Sequence, residues 1–156
     1  MKRHIHMSNN EHVSAYRLLI LASASALALG AGPALAQSPE GGVVAKGKAS
    51  IAQKAGRSTI RQTTKRAVID WQGFDVGRDH TVVFDQPGKS SATLNRVNSV
   101  KGSVIEGAIR APGTVVIQNT AGVIFTGKAK VDVGGLVATS QIVSADAFQR
   151  LSLIHI

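Results

Sequence analysis

The chain has 156 residues, a length typical of one domain, and its apolar content of 44% excludes a wholly disordered protein. It carries 18 basic and 9 acidic side chains, for a formal net charge of +9, and it has no cysteine. The lack of cysteine excludes disulfides, thiolate metal ligands and a cysteine nucleophile. With 16 glycines and only 4 prolines, the composition favours short strands joined by tight turns.

The N-terminal segment, residues 1–36, has the organisation of a secretory signal peptide. A basic start is followed by the twelve uncharged residues 18–29 and then by small residues, Ala34 and Ala36, that suit a cleavage site. We therefore predict cleavage just before Gln37 and export of the remaining chain. A transmembrane anchor is the alternative, but such a helix reaches only about 18 Å across a hydrocarbon core of about 30 Å.

The last six residues, 151–156, read Leu-Ser-Leu-Ile-His-Ile. Codons that encode this hexapeptide match a transposase end used in sequencing adapters, so we expect a non-native tail fused after Arg150. The alternative is a genuine apolar strand, which the composition permits. If the tail is foreign, we expect the natural protein to continue beyond Arg150.

Residues 41–144 alternate between apolar and polar side chains with the period of two that is typical of β-strands. In residues 128–133, for example, Ala129, Val131 and Val133 share one face. Further strands are predicted at 59–63, 68–77, 81–84, 104–109, 114–118, 123–126 and 136–143. No segment between them shows apolar residues at helical spacing over the length of a helix, so the fold is predicted to be all-β.

Gly73 interrupts the predicted strand over 68–77. Ile69 and Trp71 lie on one face of this strand, and a slip of one residue at the glycine returns Phe74 to the same face. We therefore predict that Trp71 and Phe74 fill the core at the start of the fold, as a core cap.

The pattern alone leaves two all-β arrangements open. A sandwich or barrel needs hairpins, yet the Asn-Gly and Asp-Gly turns that usually mark them do not occur in the sequence. Instead, neighbouring segments resemble one another: they read Gly-Ser-Val-Ile-Glu-Gly, Gly-Thr-Val-Val-Ile-Gln and Gly-Val-Ile-Phe-Thr-Gly. Such weak repeats are typical of a parallel β-solenoid, in which each turn stacks on the one before.

Four segments carry a more specific resemblance. Residues 71–77 read W-x-x-F-x-V-G, and residues 82–97 combine V-x-F-x-Q-P with L-N-R-V. Residues 103–119 combine S-x-I-x-G with G-x-V-x-x-x-N, and residues 131–138 read V-x-V-G-G-L-V-A. With these motifs in this order, the chain resembles the N-terminal secretion domain of two-partner-secretion exoproteins, the filamentous-haemagglutinin-like family.

The resemblance implies a right-handed parallel β-helix with an N-terminal cap, spanning residues 37–150. It also implies a partner, an outer-membrane β-barrel transporter with periplasmic domains. The exoprotein would travel through the periplasm and be secreted from a Gram-negative bacterium or held at its surface. Binding to a host surface or a polysaccharide would belong to a missing C-terminal region. No cofactor, metal, nucleic acid or catalysis is expected for the domain itself.

The resemblance also singles out turn residues. The family commonly has Asn-Pro-Asn-Gly where residues 119–122 of this chain read Asn-Thr-Ala-Gly, so Asn119 and Gly122 are retained. We expect both, together with Asn95 and Arg96, to serve transporter recognition or folding. From the residues alone, Asn95, Asn98 and Asn119 are typical of turns, the alternative being amides stacked as a ladder inside the solenoid.

Other functions are consistent with parts of the sequence. Four aspartates could supply the carboxylates that a carbohydrate-active β-helix enzyme or a calcium site would use: Asp70, Asp75, Asp79 and Asp85. The alternative is that these side chains simply occupy solvent-facing strand positions. An autotransporter passenger would begin in the same way. His80 cannot build a metal site alone, and the spread of Lys and Arg favours a solvated face over a heparin or nucleic-acid surface.

Overall fold

Residues 37–150 are described by a computed structural model, and they form ten β-strands and one short helix. The strands are β1 (Val43–Lys46), β2 (Ala49–Lys54), β3 (Arg57–Gln62), β4 (Arg66–Trp71), β5 (Thr81–Asp85), β6 (Ala92–Val97), β7 (Ser103–Ile105), β8 (Ala108–Asn119), β9 (Val123–Phe125) and β10 (Lys130–Thr139), and helix α1 is Ala145–Arg150. The predicted signal peptide and the predicted tail lie outside the described residues. Within the described part of the chain, no helix is long and apolar enough to cross a membrane.

Parallel pairing between successive passes of the chain builds three faces. Face A consists of β3, β5 and the first parts of β8 and β10, and face B consists of β4, β6 and the later parts of β8 and β10. Face C is the small sheet of β7 and β9, extended by a bridge from Val76 to Ile105. The first turn contains β3 and β4, the second β5 to β7, the third β8 and β9, and the fourth β10. The predicted all-β solenoid, a parallel β-helix, is therefore confirmed.

β8 and β10 are single strands that bend from face A to face B. The bend in β8 lies at Pro112 and Gly113, where the sequence predicted a break between two strands. A Cβ atom on Gly113 would lie 2.2 Å from the carbonyl oxygen of Ser91, and one on Gly134 would lie 2.4 Å from that of Pro112. Only glycine therefore fits where successive turns bend at this corner.

Three other predicted strands have different bounds in the structure. The strand predicted over 68–77 ends at Trp71, the one over 104–109 is divided between β7 and β8, and the one over 136–143 ends at Thr139. In the first two the chain turns a corner of the β-helix, and after Thr139 it turns toward α1. Alternation of side chains continues around a corner, so it does not mark the end of a strand.

The interior of the β-helix is filled by apolar side chains that stack from turn to turn. Ile60 pairs in register with Phe84 across face A, and Val82 with Ile109. Trp71 and Phe74 are each 1% exposed, and their rings meet edge to face with centroids 5.4 Å apart. These two residues therefore occupy the core of the first turn, on the same side as their sequence pattern predicts.

Face B is covered on its outer side as well. Val68, Leu94 and Val116 stack across three strands, and Phe148 of α1 packs over them at 2% exposure. The helix begins just after Ser144, whose hydroxyl accepts a hydrogen bond from the backbone of Ala147. Because both sides of face B are buried in its first three turns, β4, β6 and the later part of β8 lose the clear alternation of exposure seen in β10.

Antiparallel strands close the N-terminal end of the β-helix. β1 pairs with β4 and β2 pairs with β3, so the outer edges of the first turn on faces A and B are both occupied. The tight turn between β2 and β3 contains Gly56 at φ 71°. Val44 and Ile51 pack onto the interior core from this side. The cap therefore covers apolar side chains and backbone groups that the first turn would otherwise expose.

Replacing Gly113 by alanine should lower the free energy of unfolding by about 1–3 kcal/mol, because the new methyl group meets backbone that cannot move aside. Urea unfolding followed by Trp71 fluorescence measures the change. The matched control is Gly88→Ala, where nothing lies within 4 Å of the added methyl group. Equal stability of the two variants would contradict the packing described for this corner.

Candidate recognition site and its supporting network

Asn119 and Gly122 form the turn that joins β8 to β9. The Asn119 side chain is fully buried, and its amide nitrogen donates to the Lys101 carbonyl and the Ser103 hydroxyl, each at 3.0 Å. Its Oδ1 accepts a hydrogen bond of 2.9 Å from the backbone of Ala121, and Gly122 has a φ of 100°. Asn119 therefore fixes the turn and ties the third turn of the β-helix to the second.

Asn95 lies in the middle of β6, so the prediction that it sits in a turn is wrong. Its side chain points into the β-helix, where Oδ1 accepts a hydrogen bond of 3.0 Å from the Trp71 indole. Its amide nitrogen donates to the carbonyl of Val116 at 3.1 Å. One fully buried amide thus connects the first, second and third turns, and both of its polar ends are paired.

Arg96 is the next residue of β6 and points outward from face B. Its guanidinium makes two hydrogen bonds to the Asp70 carboxylate, of 2.6 and 2.8 Å. The two side chains are 27% and 31% exposed, and their residues are register partners on adjacent strands. This two-pronged pair fixes the position of Arg96 and links the first two turns on the outside of the β-helix.

A second interior network lies at the corner of faces A and B, and the sequence pattern does not predict it. Thr93 donates to Gln62 Oε1 at 2.6 Å and accepts from Gln86 Nε2 at 2.8 Å. Gln86 Oε1 in turn accepts the backbone N–H of Gly113 at 2.9 Å. The network joins three successive turns, and the glutamine of the V-x-F-x-Q-P motif is the one signal in the sequence that points to it.

The aspartates considered for an enzyme or a calcium site are mostly engaged in other contacts. Asp70 and Asp85 pair with Arg96 and Arg61, and Asp75 accepts the backbone N–H of Val104 at 2.8 Å. Within residues 37–150, no group of three or more His, Cys, Asp or Glu side chains lies together as metal ligands would. These carboxylates join loops and turns of the β-helix.

His80 forms a buried pair with Ser58 where the first two turns meet. Its Nε2 lies 2.9 Å from the Ser58 hydroxyl, and both side chains are buried. Burial lowers the pKa of His80 below its ordinary value of 6.5. No carboxylate orients the ring, because Nδ1 has no hydrogen-bond partner among the described residues, so the pair lacks the third member of a catalytic triad.

Comparison with known proteins identifies the family. The family model of the TPS (two-partner secretion) secretion domain matches residues 36–154. The chain belongs to this family. A TPS domain is part of an exoprotein that is exported across the outer membrane of a Gram-negative bacterium and has a cognate transporter there. The matched family is defined by secretion and not by an enzymatic reaction.

Similar proteins agree with the assignment in sequence and in structure. Two proteins from Haemophilus influenzae named heme/hemopexin-binding protein are 39% and 40% identical over 103 and 87 residues. These matches cover 66% and 56% of this chain but only 11% and 9% of the relatives. The crystal structure of the HMW1 secretion domain from Haemophilus influenzae matches with a TM-score of 0.68 and 26% identity, over 72% of this chain and 30% of that chain.

Loss of a buried amide should destabilise the domain. In Asn95→Leu the Trp71 indole and the Val116 carbonyl lose their partners, and each buried polar group left unpaired costs about 1–3 kcal/mol. Asn119→Ala should fall in a similar range. Urea unfolding is the measurement, and the exposed Asn98→Ala is the control, with an expected change within about 0.5 kcal/mol. Similar losses in all of these variants would contradict the roles assigned to the two buried amides.

The His80–Ser58 pair should make the fold sensitive to acid. Since the pKa of His80 is lower in the folded chain than in the unfolded chain, the unfolded chain binds more protons between the two values. The free energy of unfolding should be level above about pH 6.5 and decrease as the pH falls below it. Urea unfolding at several pH values tests this, and His80→Gln should remove the decrease. An equal decrease in both proteins would contradict the assignment to His80.

Proposed function

We propose that this TPS domain is the export address of a much longer exoprotein. The chain spans about a tenth of the length of the curated relatives it matches, which supports a large cargo. The predicted signal peptide would carry the chain into the periplasm and be removed between Ala36 and Gln37. Periplasmic domains of the transporter would then engage residues 37–150 before the exoprotein crosses the outer membrane, to be secreted or held at the cell surface.

The domain would also start the folding of the cargo that is attached after it. Its N-terminal end is closed by β1 and β2, whereas no strand among the described residues pairs with β10 on the side away from β8. This free edge presents ten residues of unpaired backbone that cross both face A and face B. A further turn of the β-helix would find there a complete template of hydrogen-bonding groups. The single capped end is the observation that carries the proposal.

The four residues expected to serve recognition or folding are all engaged in holding the fold together. Asn95 and Asn119 are fully buried, so a transporter could reach neither without unfolding the domain. Both are assigned to folding, as is Gly122, whose positive φ the turn requires. Arg96 is partly exposed but already paired with Asp70. Recognition is therefore assigned to other surface residues.

The likeness to heme/hemopexin-binding proteins supports export and leaves the cargo open. The aligned segments are about a tenth of those relatives and coincide with the secretion domain. Any binding of haem, of a host surface or of a polysaccharide is accordingly placed outside this domain. The domain itself acts by binding, without catalysis and without a nucleic-acid ligand.

Secretion with and without the cognate transporter tests the proposal. The full chain is expressed in a Gram-negative host, and the amount outside the cells is measured by immunoblot. We expect it outside only when the transporter is present, with an N-terminus at Gln37. Equal amounts outside in the two strains would overturn the proposed function.

A further inference from the structure

The outer side of face B carries an apolar stripe that runs along the axis of the β-helix. The stripe takes one residue from each turn, and these are register partners: Val68, Leu94, Val116 and Val137. Successive turns lie about 4.8 Å apart, so the stripe is about 14 Å long. Outward positions of a β-strand normally meet water, yet Val68 and Leu94 are fully buried and Val116 is 6% exposed. A cover over this stripe is therefore part of the fold.

Helix α1 supplies the cover. Phe148 packs on the buried residues of the stripe, and Val143 and Ala145, at the start of the helix, pack against the same cluster. With six residues, α1 is far below the length of about 12–15 residues at which an isolated helix becomes stable in water. The helix therefore depends on the stripe, and the stripe exists only when the turns are stacked in register.

The two ends of the helical segment are held by different turns. Before the helix, the backbone N–H of Val143 donates to Gln118 Oε1, on the third turn, at 2.9 Å. At the end of the helix, Arg66 Nη1, on the first turn, donates to the Gln149 carbonyl at 3.1 Å, although these residues are 83 positions apart in the sequence. Because α1 follows the fourth turn in the chain, its contacts connect the fourth turn with the first.

A contact of this kind changes how a β-solenoid is expected to unfold. Each turn of a solenoid contacts only its neighbours, so a turn at one end can unfold while the others remain folded. In this domain β1 and β2 hold the first turn, whereas the fourth turn is paired only with β8. The fourth turn would therefore unfold first unless another contact tied it to the rest.

We propose that α1 is a clasp that makes the four turns fold and unfold as one unit. The clasp closes last, because its binding site consists of turns that are already stacked. Once closed, it holds the fourth turn, to which it is directly joined, and so fixes the position of β10. The inference goes beyond the proposed function. Its test involves no export, so a failure here leaves the proposed function standing.

Two fluorescence probes at opposite ends of the β-helix test the clasp. Trp71, the one tryptophan of the chain, reports on the first turn. Acrylodan attached to Asp132→Cys reports on the fourth turn, since the chain has no other cysteine. Asp132 is exposed and lies on face A, whereas α1 covers face B. With α1 docked, both probes of the full chain should show the same urea midpoint.

The variant Phe148→Asp places a charge against the apolar stripe and should release α1. The probe on the fourth turn should then unfold at lower urea than Trp71, and each transition should be less steep because it exposes less surface. The control, Ile109→Ala, removes an interior contact between neighbouring turns and leaves α1 in place, so its two midpoints should shift together. Coinciding midpoints in Phe148→Asp, or an equal separation in the control, would overturn the proposal.

A milder variant serves if Phe148→Asp does not fold. Ala147→Gly lowers the helix propensity of α1 while Phe148 stays in place. We expect a smaller separation of the two midpoints in the same order, and coinciding midpoints in this variant would then reject the clasp. Phe148→Leu keeps an apolar side chain over the stripe and should retain a single transition.

Discussion

Hydrogen bonding between successive turns is the interaction on which the domain depends. Each parallel strand pairs its backbone with the turn before it. A polar side chain inside the β-helix must also find its hydrogen-bond partners in a neighbouring turn, or it stays unpaired. Asn95 meets this requirement with groups from the first and third turns, and Gln86 does so at the corner. A slip of one residue between turns would break these bonds together, so the interior fixes one register.

Much of the fold is predictable, because the sequence shows both the alternation of side chains and the motifs in their order. The positions of the corners are not predictable in this way. β8 bends at Gly113 without losing its alternation, and a glycine alone does not distinguish a bend within a strand from a break between two strands. Residue type alone predicts Asn95 in a turn. That prediction fails because the buried amide of Asn95 is hydrogen-bonded to partners 21 and 24 residues away in the sequence. The interior glutamines are hidden for the same reason: long-range partners leave no local pattern.

The distribution of polar groups separates stability from recognition. The asparagines that the family resemblance singles out are inside the β-helix, where their hydrogen bonds hold neighbouring turns together. The charges able to meet a partner lie outside, and they come from residue types that no motif marks. A net positive charge spread over the sequence becomes informative only when the fold shows which cations are neutralised by Asp70, Asp85 and Asp146 and which remain unpaired.

The antiparallel cap also limits how copies of the domain can associate. Fibres form when one end of a molecule fits the opposite end of the next, because such a head-to-tail contact can repeat without limit. Here β1 and β2 cover the end that an incoming β10 would need. Two copies that met through their free β10 edges would form a closed dimer, whose remaining edges of the eight-stranded sheet are the short antiparallel strands β1 and β2. The cap therefore limits head-to-tail polymerisation of the folded domain.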